Sequence, residues 1–169
     1  MTHDPISRTP VCIRAAVDAD RARLVPLINS AFSIETFLEG TRTDEERLAA
    51  TMRKGEILLA ELVTEDQGGE PVGCIYTEVR GERGYLGMLA VDPARQGTGL
   101  ASLIVHAAEE HLRRLGCMAV DISVLSLRPE LLPLYRRFGF VETGCEEFAF
   151  SRALRPGAEC HSIVMSKPL

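Results

Sequence analysis

The twelve residues V-D-P-A-R-Q-G-T-G-L-A-S at positions 91–102 constrain the fold of this chain more than any others. They set a glycine-rich turn between an apolar, strand-like run (85–91) and a strongly periodic helix. Leu100, Leu103, Ile104, Ala107, Ala108, Leu112 and Leu115 recur at helical spacing, Glu109, Glu110, Arg113 and Arg114 take the other side, and Gly116 closes the helix. Residues 118–124 then read as a buried strand. Strand, helix and strand form one βαβ unit, which makes the two strands parallel. The turn between them presents backbone N–H groups at a helix N-terminus, a ready site for a phosphate or pyrophosphate.

Around this unit the pattern predicts a mixed fold. Residues 11–16 read as a first strand, and Asp18 as the cap of a helix over 19–32. Thr43-Asp44-Glu45-Glu46 is a helix start with an acidic first turn, and Gly55 ends that helix. Strands over 57–63 and 72–79 flank a polar hairpin loop with Gly68-Gly69, and a Gly81–Gly84 turn leads into 85–91, so these strands form an antiparallel meander. A short helix over 129–138, ended by Gly139, precedes two last strands, 140–150 and 161–165. The order is β-α-α-β-β-β-α-β-α-β-β: a mixed α/β fold with a mostly antiparallel sheet of six to seven strands and about four helices. Residues 1–10 are expected to be a flexible leader, and residues 11–169 one domain, as suits a chain of 169 residues.

The bulk properties narrow the function. No apolar run approaches the ~20 residues of a membrane-spanning helix, and a net charge of −5 argues against nucleic-acid binding. An anionic ligand then needs a local positive spot from helix N-termini and nearby arginines. Cys12, Cys74, Cys117, Cys145 and Cys160 form no C-x-x-C pair and read mostly as small core residues of a cytoplasmic protein. With His106 and His111 both on the long helix, no metal site is expected. The chain reads as a monomer or homodimer.

Three readings compete for the glycines. A P-loop requires a lysine after the last glycine, and none follows Gly99. A dinucleotide fingerprint finds Gly97-x-Gly99-x-x-Ser102, with Asp121 where a ribose-binding acid would fall. The polar segment 92–96 lengthens what should be a tight turn, and the chain after Asp121 is too short to build the second parallel half.

In the third reading, Gln96-Gly97-Thr98-Gly99-Leu100-Ala101 matches a Q/R-x-x-G-x-G/A pattern, preceded by a strand ending Leu89-Ala90-Val91-Asp92-Pro93. Further along comes Leu134-Tyr135-Arg136-Arg137-Phe138-Gly139-Phe140. With both motifs in this order, the chain resembles the GNAT N-acetyltransferase superfamily over about residues 11–167.

The resemblance implies acetyl-CoA as donor, an amine acceptor, and direct attack within a ternary complex. It implies that the N–H groups of Gln96, Gly97, Thr98, Gly99, Leu100 and Ala101 grip the pyrophosphate, and that the backbone of Leu89, Ala90 and Val91 lies along the pantetheine arm. It makes the Leu89 N–H the donor to the thioester carbonyl and Tyr135 the general acid for the departing thiolate. Where family members often have Asn, this chain has Arg128, which either binds the cofactor or faces solvent. The general base is left open among Glu78, Tyr85 and His161, with Glu78 nominated. The acceptor pocket is expected from the first two helices and their link over 33–40, where Glu35 and Glu39 could attract a cationic amine. A non-catalytic acyl-CoA-binding module, with Tyr135 structural, and an NAD-dependent oxidoreductase are the alternatives.

Overall fold

The computed structural model describes residues 10–64 and 68–169. The expected leader, apart from Pro10, and residues 65–67 of the hairpin loop lie outside the described residues. The strands are β1 (Val11–Ala15), β2 (Glu56–Leu62), β3 (Glu70–Arg80), β4 (Arg83–Val91), β5 (Ala119–Leu125), β6 (Val141–Glu147) and β7 (His161–Pro168). The helices are α1 (Arg21–Ala31), α2 (Glu45–Lys54), α3 (Leu100–Arg114) and α4 (Leu131–Arg137). They build a seven-stranded sheet in the order β1-β2-β3-β4-β5-β7-β6. Every neighbouring pair is antiparallel except β4 and β5, which are parallel as the βαβ reading requires.

Both faces of the sheet centre are covered, so β2 carries an unbroken buried run instead of an alternating one. Leu58 and Ala60 point to one side, where α3 lays down Leu100, Ile104, Val105, Ala108 and Leu112 together with Phe140 and Met165. Ile57 and Leu59 point to the other, against Leu24 and Ile28 of α1 and Leu48 of α2. This sandwich fixes β3 and β4 between α1 and α3.

The first helix starts later than its sequence signal. Asp18 opens a short 3₁₀ turn, Asp18–Asp20, and makes no cap; α1 begins at Arg21. The buried Asp20 takes over locally. Its carboxylate accepts the Val17 N–H (2.8 Å) and salt-bridges Arg14 (2.8 Å) and Arg23 (2.7 Å), both of which also reach Glu61 of β2. Hydrogen bonds from Arg14 first, then from Val17 and Arg23, hold the Asp20 carboxyl well below the ordinary carboxylate range. The stability this contributes is complete above the unfolded value near pH 4 and is lost as pH falls below it toward the depressed native value. Asp20→Ala would leave two part-exposed arginines without one of their two carboxylates. An expected loss of about 2–3 kcal/mol follows, measurable by urea unfolding at pH 7. Much of the difference from the native chain should vanish at the acid end; a loss that stays constant with pH would contradict this account.

Two further departures matter. The strand expected over 140–150 stops at Glu147. Beyond it the chain turns to meet the α1–α2 connection: Leu38 and Leu154 form a bridge, the Glu39 N–H donates to the Ala153 carbonyl (2.8 Å) and the Arg155 N–H to that of Phe37 (2.9 Å). Of the cysteines, only Cys74 and Cys117 are buried; Cys12 and Cys145 are exposed. Among the described residues no helix is long and apolar enough to cross a membrane.

Candidate active site

The parallel pair does not hold along its length. β4 and β5 are in register from Arg83↔Ala119 to Leu86↔Ile122 and then part, while each stays paired to its other neighbour. The parting coincides with a bulge: Cys74 pairs Ala90 and Tyr76 pairs Gly87, so Met88 and Leu89 together stand opposite Ile75. Met88 adopts a left-handed conformation (φ 51°), a strain of order 1–3 kcal/mol for a residue with a Cβ. The bulge bends β4 where β5 leaves it, and a cleft of about 1000 Å³ opens between them.

At one end lies the glycine turn. Asp92 accepts the Ala94 N–H (3.0 Å) and the Thr98 hydroxyl donates to the Arg95 carbonyl (2.6 Å), which folds the turn on itself. Gly97 (φ 78°) and Gly99 (φ 84°) both take left-handed conformations, and a Cβ on either would project into open space. None of the backbone N–H groups from Gln96 to Ser102 has a hydrogen-bond partner among the described residues. Orphan donors at the start of α3, with its dipole behind them, suit an anion. Arginines Arg42, Arg95, Arg128, Arg137 and Arg152 line the cleft against the carboxylates of Glu35 and Glu130 alone, which gives an acidic chain its local positive spot.

The structure brings most of the expected cofactor-side residues together. Leu89, Val91, Gln96, Gly97, Gly99, Leu100, Ala101, Arg128 and Tyr135 all line the cleft. Ala90 and Thr98 do not: the Ala90 side chain is buried against the α1 side of the sheet, and the Thr98 hydroxyl is turned back on the loop. Tyr135 sits edge-on to Phe138 (6.1 Å) and Phe140 (5.8 Å), and no hydrogen bond reaches its hydroxyl among the described residues. Burial, with some help from nearby Tyr85, pushes the Tyr135 phenol up to about 12. Tyr85 also lines the cleft, with Arg80 stacked on its ring at 4.0 Å; burial raises this phenol too.

Other sequence candidates lie elsewhere. Glu78 is not in the cleft lining: it pairs with Arg80 (3.0 Å) and accepts the Tyr76 hydroxyl (2.8 Å). Arg80 holds the Glu78 carboxyl below its usual range, which makes it a weaker base. His161 is exposed on β7, outside the lining. Arg128 is neither free nor solvent-facing: it pairs with Glu35 (3.1 Å) and Glu130 (2.5 Å). Asp121, the ribose-binding candidate, is held by Arg83 (2.6 Å) and Ser166. Antiparallel β6 and β7 follow where a dinucleotide fold needs parallel strands. Among the described residues no group of His, Cys, Asp and Glu could hold a metal ion.

The other end of the cleft comes from Phe32 to Glu35, Leu38 and Arg42, as the sequence leads one to expect of the first two helices and their link, and from Phe150, Ser151 and Arg152, which the sequence pattern does not single out. The bridge between the two connections, with the hydrogen bonds around it, brings that second group in.

Comparison with known proteins adds to this geometry. The description of the acetyltransferase (GNAT) family matches residues 24–140. An acetyltransferase of Agrobacterium fabrum is 29% identical over 130 residues, 77% of this chain and 81% of that protein. The mycothiol acetyltransferase of Propionibacterium freudenreichii is 35% identical over 83 residues, 47% of this chain; the match spans only 27% of that longer protein. Among solved structures, the ribosomal-protein-S18-alanine N-acetyltransferase of Escherichia coli superposes with a TM-score of 0.72 at 17% identity, covering 94% of both chains. The putative acetyltransferase yncA of Salmonella typhimurium, solved with its cofactor acetyl-CoA, gives 0.71 at 19% identity over 94% of this chain and 93% of its own.

Proposed function

This chain belongs to the acetyltransferase (GNAT) family, and from that premise we propose that it transfers the acetyl group of acetyl-CoA to an amine by direct attack within the cleft. The observation that carries the reading is the row of unpartnered N–H groups from Gln96 to Ser102, opening beside Tyr135 where β4 and β5 part. Acetyl-CoA supplies an activated acyl thioester and a pyrophosphate handle.

The chain's own residues then divide the work. The turn from Gln96 to Ala101 holds the pyrophosphate through backbone donors, Gly97 and Gly99 allowing close approach. The Leu89 N–H, next to the bulge, faces the charge that develops on the acyl oxygen; one such donor is worth about 3 kcal/mol. Tyr135, protonated throughout the physiological range, gives its proton to the leaving sulfur. Phe32 and the α1–α2 connection receive the acceptor. We place the protein in the cytoplasm, which its unpaired cysteines support.

Among the described residues the cleft offers the amine no free base: no histidine lines it, and its carboxylates, Glu35 and Glu130, are both bonded to Arg128. The ammonium therefore sheds its proton to water, helped by surrounding arginines that disfavour a further positive charge. Calorimetric titration should show acetyl-CoA binding and no NAD binding. With acetyl-CoA saturating, thiol release on an amine panel should rise about tenfold per pH unit up to each amine's own pKa. Absence of acetyl-CoA binding would overturn the function, and a plateau near pH 6–7 would reveal a base that this account omits.

A further inference from the structure

At the acceptor end of the cleft, arginines crowd one buried carboxylate that is already used. Oε2 of Glu35 accepts from Arg128 (3.1 Å) and Oε1 from Arg152 (3.3 Å). Arg152 uses all three of its guanidinium nitrogens here, with Nε donating to the Glu39 carbonyl (3.0 Å) and Nη2 to that of Gly40 (2.8 Å). Together these bonds tie the α1–α2 connection to the segments before α4 and after β6, and they make Glu35 a structural anion.

Arg42 enters the same space with nothing to hold. Its guanidinium lies over the Phe32 ring at 5.1 Å. No hydrogen bond or ion pair reaches it among the described residues, although it is half-buried and lines the cleft. Burial lowers its proton affinity, while Glu35 and Tyr85 nearby raise it; a guanidinium starting above 12 stays a cation at neutral pH. A half-buried guanidinium in the cleft wall, without a protein acceptor among the described residues, is free to meet an oxyanion. The planar fork of Arg fits a carboxylate through two parallel bonds. Arg42, Tyr85 and Tyr135 all line this one cleft, so the cation shares it with the proposed acid. An acceptor bearing only positive charge would find no free counter-charge here.

Resting on the acetyltransferase reading above, we propose that the acceptor is an amine that also carries a carboxylate, as a free amino acid does, and that Arg42 binds that carboxylate. Its neighbours set the frame: Phe32 below the guanidinium, and Glu35 holding Arg128 and Arg152 out of competition.

The test separates this from the wider reading by two titrations. Acetyl-CoA is titrated first; if it does not bind, the function itself fails. The CoA-loaded protein is then titrated with the N-acetyl derivatives of the twenty protein amino acids, as product analogues, and with the matching N-acetyl amino acid amides. The best acid should bind at least about 20-fold more tightly than its amide, as a charged hydrogen-bonded pair implies. Arg42→Gln should abolish that ratio with acetyl-CoA affinity retained, and Arg42→Lys should keep part of it. No acid preference in any member of the series, or a preference that survives in Arg42→Gln, overturns the proposal. If Arg42→Gln does not fold, the native ratio and its reduction in Arg42→Lys decide.

Discussion

Gly99→Val should weaken acetyl-CoA binding by more than about 100-fold, or ~2.7 kcal/mol. Two effects combine. Gly99 has φ 84°, where an L side chain costs about 1–2 kcal/mol and a β-branched one more. Its Cβ would meet no protein atom within 4 Å, and Gly99 lines the cleft where the pyrophosphate is proposed to sit. Strain alone would destabilise the helix start; obstruction acts on the ligand. Gly116→Val separates them, since Gly116 has φ 89° and equally open surroundings at the far end of the same helix. Both variants should lose comparable stability by thermal unfolding, and only Gly99→Val should lose the cofactor in calorimetry. Unchanged affinity in Gly99→Val, or equal loss in the two, would remove the pyrophosphate from this turn.

Tyr135→Phe should lower kcat by about 10²–10³-fold, the usual worth of a positioned general acid. Because the Tyr135 hydroxyl has no hydrogen-bond partner among the described residues, its removal should cost almost no stability and change acetyl-CoA affinity less than about threefold. The pH profile carries a second check. An acid must be protonated to act, and the Tyr135 phenol is pushed up to about 12, so its loss should not depress the native rate until well above pH 10. A descending limb near pH 9–10 that disappears in Tyr135→Phe would assign the unshifted phenol. A native rate in Tyr135→Phe would hand the proton to water instead.

How far the sequence reached depends on the range of the interaction involved. The βαβ unit was legible because Leu100, Ile104, Ala108 and Leu112 repeat with the helix period between two apolar runs. The antiparallel meander was legible from Gly81 and the short turn it permits. Asp18 misled, because its neighbour Asp20 is claimed by Arg14 and Arg23, and only the approach of Glu61 on β2 shows why. Phe148 and Phe150 extended the apparent strand, yet pairing between Leu38 and Leu154 draws the chain away. Glu78 looked available from its strand position, yet Tyr76 and Arg80, two residues to either side on the same strand, occupy it.

The sequence by itself determined the order of elements, the parallel pair of the βαβ unit and the glycine turn. All of these follow from local periodicity and from glycine's freedom at positive φ. Tertiary structure alone decided where β4 and β5 part, because the bulge at Met88 and Leu89 depends on register against β3. It also decided that Arg128 and Arg152 neutralise Glu35 while Arg42 has no ion-pair partner among the described residues. Charge pairing between residues so distant in the chain leaves no period to read, and it is that pairing which sets the proposed acceptor's charge.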